Sequence, residues 1–212
     1  MQIAIPVFPR ITALDAIGPY EVLQRLPGAE IVFVGHERGE VRSDNGYLGL
    51  MADAVFEEID APDVVVFPGG VGTRPMMGDR RVLDWLRSVH GGTRYTTSVC
   101  TGALILGAAG LLDGLEATTH WGAYDLLAET GAIPVATRVV EHPDQRIITA
   151  AGVSSGIDMA LRLSELLVDA DTARSMQLMI EYDPQPPFDA GSVATAGPDI
   201  VAMALEIGRT RN

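Results

Sequence analysis

Two short runs, EIVFVG at residues 30–35 and DVVVFP at residues 63–68, constrain this chain more than any other feature. Both are apolar and β-branched almost throughout, with no polar residue at alternate positions. A strand with one wet face alternates, whereas a strand apolar on both faces is covered on both, as in a parallel sheet between helices. Further strand-like runs fall at 2–8 (QIAIPVF), 94–99 (RYTTSV), 115–119 and 146–151. Stretches with helical spacing separate them, at 15–26, 79–90, 101–112, 121–130 and 157–168. In DRRVLDWLRSVH the apolar positions 82, 83, 86 and 89 share one face and arginines cover the other.

This alternation predicts an α/β fold, a doubly wound sandwich with a mostly parallel central sheet and helices on both faces. No internal repeat or low-complexity linker interrupts the 212 residues, so residues 1–212 read as a single domain. Two hairpins are grafted on, around Asp44-Asn45-Gly46 and around His142-Pro143-Asp144. Residues 183–198, rich in proline, glycine and small residues, read as irregular chain before a last helix at about 199–209.

Composition excludes several functions. A net charge of −13 opposes nucleic acid, whose phosphates require a basic face, and favours a small-molecule substrate or a protein partner. All 15 basic residues are arginine, so neither a lysine Schiff base nor a phosphate-loop lysine is available. One cysteine makes no intramolecular disulfide, which suits a reducing cytoplasm. The opening MQIAIPVF lacks a basic leader and reads as a first strand rather than a signal peptide. No unbroken apolar run reaches the roughly 18 residues of a membrane span. No pair of histidines has metal-ligand spacing, so no metal is expected. The loop after residue 68 offers Gly69-Gly70 and Gly72 but has Pro75 where a dinucleotide loop needs its last glycine, so no cofactor is expected either.

In open parallel sheets, ligands bind beyond the carboxyl ends of the strands. Four such ends carry reactive or permissive residues: Pro9 to Asp15, Pro68 to Gly72, Cys100 to Gly102, and His120-Trp121. Cys100 stands between a β-rich run and an apolar helix. It is either a small core residue or a nucleophile whose thiolate is favoured by the helix N-terminus. Gly102 matches the trailing glycine of a nucleophile elbow, with Ser98 in place of the leading one. The backbone amides of Gly70 and Thr101 are candidates for an anion site, with Gly69 supporting the turn. Asp15 reads as a helix N-cap, as a carboxyl facing the thiol, or as both. His120 is a structural histidine or a group that orients the thiol.

The segments FPRITALDAIGPYEVL, DVVVFPGGVG, TSVCTGALILGAAGLLDGLEATTHW and AAGVSSGIDMAL run in this order through nearly the whole chain. Together they resemble the ThiJ/PfpI superfamily of class I glutamine-amidotransferase-like proteins, which implies a flavodoxin-like fold. Within it, Thr101 after the cysteine, Leu14-Asp15 with Gly18-Pro19, the run Thr118 to Trp121, and the tail LMIEYDPQPPFDAGS resemble the isonitrile hydratases. That resemblance implies hydration of an isonitrile to an N-formamide through a thioimidate, by a cytoplasmic homodimer. It implies Cys100 as nucleophile, Asp15 as the neighbouring acid, Thr101 as a catalytic partner, and His120, Gly69 and Gly102 as supporting residues. Ser154 and Asp189 depart from the threonine and asparagine expected in that group. Glyoxalase or deglycase chemistry on a carbonyl, and a redox-sensing or regulatory role without turnover, are the alternatives the same thiol allows.

Overall fold

The computed structural model describes residues 1–210. Its strands are β1 (Gln2–Pro6), β2 (Glu30–Gly35), β3 (Gly39–Arg42), β4 (Gly49–Ala52), β5 (Ala54–Val55), β6 (Val64–Phe67), β7 (Tyr95–Val99), β8 (Glu116–Ala117), β9 (Ile133–Pro134), β10 (Val139–His142) and β11 (Ile147–Ala150). Its α-helices are α1 (Ala13–Leu23), α2 (Thr73–Met76), α3 (Arg80–His90), α4 (Gly102–Ala108), α5 (Tyr124–Ala128), α6 (Ser155–Leu167), α7 (Ala170–Met179), α8 (Val193–Ala196) and α9 (Pro198–Thr210). They fall into two compact units, Met1–Ile180 and a segment that begins at Glu181.

The first unit is built on a seven-stranded sheet in the order β10-β11-β7-β6-β1-β2-β5. Its pairs are parallel except β10 with β11, which form the hairpin around His142-Pro143-Asp144. All four residues of β6 are buried, as an apolar run covered on both faces must be. The chain passes from β1 outward to β2 and later returns to the other side at β6. That reversal opens a crevice at the carboxyl ends of β1, β6 and β7. The hairpin at Asp44-Asn45-Gly46 joins β3 to β4 in a separate antiparallel pair. The architecture is the doubly wound α/β sandwich that the alternation predicts, and the flavodoxin-like fold that the resemblance implies.

Four local readings change. The strand expected at 115–119 shortens to β8, which pairs with β9 outside the main sheet. The cause lies in Thr118: its N–H donates to Thr149 Oγ1 (3.0 Å) instead of continuing a ladder. Helix α1 runs Ala13–Leu23 rather than over 15–26, which puts Pro19 in the helix interior. Helix α7 has no counterpart in the periodicity, although its start signal is present. Asp169 accepts a hydrogen bond from the Thr172 N–H (2.7 Å), as an N-cap does. In the second unit, α8 interrupts the stretch read as irregular, and Ser192 caps it by accepting from the Thr195 N–H (3.3 Å).

The approach of α4 to β6 sets the depth of the crevice. A Cβ on Gly102 would stand 2.0 Å from the Phe67 carbonyl oxygen, so no side chain fits. Backbone, unlike a long side chain, has little room to yield. Gly102→Ala is therefore expected to destabilise the protein by at least about 2 kcal/mol, the scale of core overpacking. Urea unfolding of both proteins measures it.

Candidate active site

Cys100 follows β7 directly and adopts a left-handed backbone, with φ of 56°. For a residue with a Cβ this costs about 1–2 kcal/mol. The surroundings hold it there from both sides of the peptide. Its N–H donates to the carbonyls of Ala150 (3.0 Å) and Ala151 (3.1 Å), and its carbonyl accepts from Thr119 Oγ1 (2.8 Å). The result is a sharp strand-to-helix turn that sets the sulfur over the sheet edge, with 4% of the residue exposed.

Gly69 and Gly70 form the facing wall. The Gly69 N–H donates to Asp15 Oδ2 (3.0 Å), and its carbonyl accepts from the Thr12 N–H (3.0 Å). A Cβ here would lie 2.5 Å from the Thr101 nitrogen and 2.8 Å from Asp15 Oδ2, so this position must be bare. Gly70 takes a φ of 134°, in the region that favours glycine. Its N–H donates to Thr101 Oγ1 (2.9 Å), and its carbonyl accepts from Thr101 Oγ1 (3.1 Å) and Thr73 Oγ1 (2.8 Å). The Gly70 amide therefore faces the Thr101 hydroxyl at rest, and an anion using that amide must displace the hydroxyl. The Thr101 N–H and hydroxyl both also interact with the Cys100 thiol.

Asp15 is fully buried in the first turn of α1. Thr12 holds the N-cap position, so the carboxyl does not serve as the cap. Oδ1 is buried with no partner at hydrogen-bond geometry, and Cys100 is the side chain that interacts with this carboxyl. A helix N-terminus stabilises a carboxylate by about 0.3–1 kcal/mol. Burial opposes it more strongly and pushes the Asp15 pKa from 3.8 up to about 7; the Gly69 and Cys100 contacts only partly offset it. The rise corresponds to on the order of 4 kcal/mol against the charged form. The thiol follows the same rule: burial first, and the Asp15 charge second, push Cys100 well above the ordinary thiol range. The thiolate expected from the helix N-terminus is thus reversed at rest, because α4 cannot offset the loss of water around sulfur. The site holds a thiol beside a carboxyl poised to carry a proton at neutral pH.

His120 reaches the same rim by a different route. Its Nδ1 accepts from the Gly122 N–H (3.2 Å), which leaves the ring hydrogen on Nε2. The ring packs beside Trp121, with centroids 5.3 Å apart, and lies against Gly152, where a Cβ would meet it at 2.4 Å. Burial, and then the Arg74 charge, lower its pKa, so the imidazole is neutral. No hydrogen bond joins it to Cys100 among the described residues; its neighbour Thr119 makes the bond to the Cys100 carbonyl. The structure therefore gathers Asp15, Gly69, Gly70, Cys100, Thr101 and Gly102 tightly, with His120 at the edge. Thr73 and Arg74 join them at the Gly70 carbonyl, from the short helix α2, whose sequence carries no motif to announce it. Ser154 lies exposed, with its Oγ 3.3 Å from Arg138 Nη2, and Asp189 lies in the second unit. Among the described residues, no cluster of His, Cys, Asp and Glu is arranged to hold a metal ion. No helix among them is long and apolar enough to cross a membrane.

The buried carboxyl has a consequence for stability. Its folded pKa lies above its unfolded value, so the folded state binds more protons between the two. Stability from this group is fully present below about pH 4 and is lost as pH rises through about 7, by on the order of 4 kcal/mol. In Asp15→Asn that component of the slope should vanish. Urea unfolding across this pH range, with both proteins side by side, reads it directly.

Comparison with known proteins agrees with this geometry. The family model described as the DJ-1/PfpI family matches residues 1–166. The isonitrile hydratase of Pseudomonas putida is 47% identical over 204 residues, covering 96% of this chain and 88% of that protein. Protein DJ-1 homolog A of Arabidopsis thaliana is 28% identical over 189 residues, or 87% of this chain and 47% of that one. The crystal structure of a ThiJ/PfpI family protein from Pseudomonas syringae superposes with a TM-score of 0.90 at 43% identity, covering 96% of this chain and 84% of that one. With its elbow cysteine, its facing diglycine and a family match over most of its length, this chain belongs to the DJ-1/PfpI family.

Proposed function

We propose that the protein hydrates an isonitrile to the corresponding N-formamide, with Cys100 as nucleophile and Asp15 as proton donor. The observation that carries this reading is the buried Asp15 carboxyl beside the Cys100 thiol, raised to a pKa of about 7. The similarity to the Pseudomonas putida isonitrile hydratase supports it across nearly the full length of both chains.

The chemistry needs a proton at carbon and a nucleophile at the same carbon. Asp15 gives its proton to the terminal carbon of R–N≡C while the Cys100 sulfur bonds to that carbon, and the thiol proton returns to Asp15. The product is a thioimidate, R–N=CH–S–Cys100. Water then adds to the C=N carbon, and its proton goes to nitrogen. The tetrahedral adduct expels sulfur as the carbonyl forms, and the hydroxyl proton restores the thiol. One water is consumed and one formamide released, with no change of redox state. The Thr101 hydroxyl has one hydrogen to place, on the Gly70 carbonyl or toward sulfur. Turning it to sulfur stabilises the developing thiolate, and the tetrahedral oxygen takes the Gly70 N–H by displacing the Thr101 hydroxyl oxygen from it. A recessed sulfur suits this substrate, because an isonitrile ends in a slender linear group that reaches a thiol only 4% exposed.

The reading includes a cytoplasmic homodimer, supported by the unpaired single cysteine and by the family resemblance. An ultraviolet assay with an aromatic isonitrile tests the reaction. Cys100→Ala should lose turnover entirely, and Asp15→Asn should lose at least about 100-fold in kcat, the scale of a general acid. Wild-type kcat/KM should fall as pH rises through about 7, where Asp15 gives up its proton. Formamide produced at the wild-type rate by Cys100→Ala would exclude the mechanism. Lactate from methylglyoxal, with no formamide from isonitrile, would move the protein to carbonyl chemistry.

A further inference from the structure

Arg10 and Arg74 both stand at this rim with no carboxylate partner among the described residues, and Arg74 is the one whose guanidinium bonds to the site. Arg74 is exposed, and its Nη1 donates to the Gly70 carbonyl at 3.1 Å. That oxygen also receives the Thr101 hydroxyl, one residue from the nucleophile. The Arg74 charge is also felt by His120, whose neighbour Thr119 holds the Cys100 carbonyl. The guanidinium is thus tethered to the Gly70 wall of the crevice, which meets Thr101, the residue next to Cys100. Many other arginines sit on carboxylates, among them Arg25 on Glu21, Arg81 on Glu57, Arg138 on Asp158, and Arg162 on Glu141 and Glu165, whereas Arg94 and Arg146 bond to backbone carbonyls. Among the described residues Arg74 has no such partner.

An unpaired guanidinium bonded to the wall that faces Cys100 has a physical meaning in a chain of net charge −13. Carboxylates abound on this surface, yet none has been placed against this arginine. The net charge repels an anionic substrate, so capturing one requires a local positive group at the mouth of the site. Asp44, the other charge that reaches the crevice, acts on Asp15. A guanidinium with one N–H spent on Gly70 keeps the rest of its planar fork, which matches a carboxylate in two parallel hydrogen bonds. We infer that Arg74 is a specificity residue and that the substrate is an isonitrile bearing a carboxylate, whose acid group Arg74 holds while the isonitrile carbon reaches Cys100.

This inference rests on the hydratase reading for the reacting group, so its test has two arms. The first compares para-isocyanobenzoate with neutral phenyl isonitrile in wild type, Arg74→Gln and Arg74→Lys. The ratio of kcat/KM, carboxylate over neutral, should fall about tenfold in Arg74→Gln, be partly kept in Arg74→Lys, and shrink in wild type as salt is added. The second arm needs no hydration. It compares the rates at which iodoacetate and iodoacetamide alkylate Cys100, normalised to free cysteine. The iodoacetate preference should likewise fall about tenfold in Arg74→Gln. If neither isonitrile is hydrated but the alkylation ratio falls, anion recognition stands and the reaction must be another. If isonitriles are hydrated and neither ratio changes in Arg74→Gln, the hydratase reading stands and the role of Arg74 is overturned. An unchanged alkylation ratio with no hydration overturns both.

Discussion

Removing water from one carboxyl and one thiol at the same point is the constraint on which this site depends. A buried carboxylate costs several kcal/mol, and a helix N-terminus returns about one at most in ordinary settings. The protein therefore does not hold two anions side by side. It holds a carboxyl near pKa 7 and a thiol pushed the other way from a reactive thiolate. On the proposed hydratase reading, reactivity comes from moving a proton between them rather than from a standing negative charge. That division suits a substrate that must gain a proton and a nucleophile at one carbon.

The backbone around the pair exists to make that burial possible. Bare positions at Gly69 and Gly102 let three segments approach within distances that any Cβ would forbid. The left-handed turn at Cys100 is fixed by hydrogen bonds to its own N–H and carbonyl, so its strain is held by β11 and Thr119 together. Thr101 closes the arrangement by engaging the Gly70 amide and carbonyl. The strand-to-helix geometry, the diglycine turn and the acid helix are thus parts of one device, although they come from distant stretches of chain.

Much of this was legible in the sequence because its signals are local. Apolar β-branched runs identify β2 and β6, and a glycine two residues after a cysteine identifies the elbow. The diglycine after a buried run identifies the facing wall. What was hidden depends on tertiary contact. Nothing in Thr118 says that its amide will bond to Thr149, so β8 reads too long. The spacing around Asp15 fits a cap as well as a first-turn position, and only the start of α1 at Ala13 separates them. The direction of the Cys100 shift turns on how deeply sulfur is covered, which no local motif encodes. Arg74 had no signal at all, since its bond to the Gly70 carbonyl is a tertiary contact.

The central claim is that Asp15 carries a proton at neutral pH. Infrared difference spectroscopy of protein with isotopically labelled aspartate measures this directly, because a protonated carboxyl and a carboxylate absorb in separate regions. The account predicts one buried acid band that titrates near pH 7 and is missing from Asp15→Asn. Ionisation of that group near the ordinary aspartate value of 3.8, leaving no acid band at neutral pH, would contradict it.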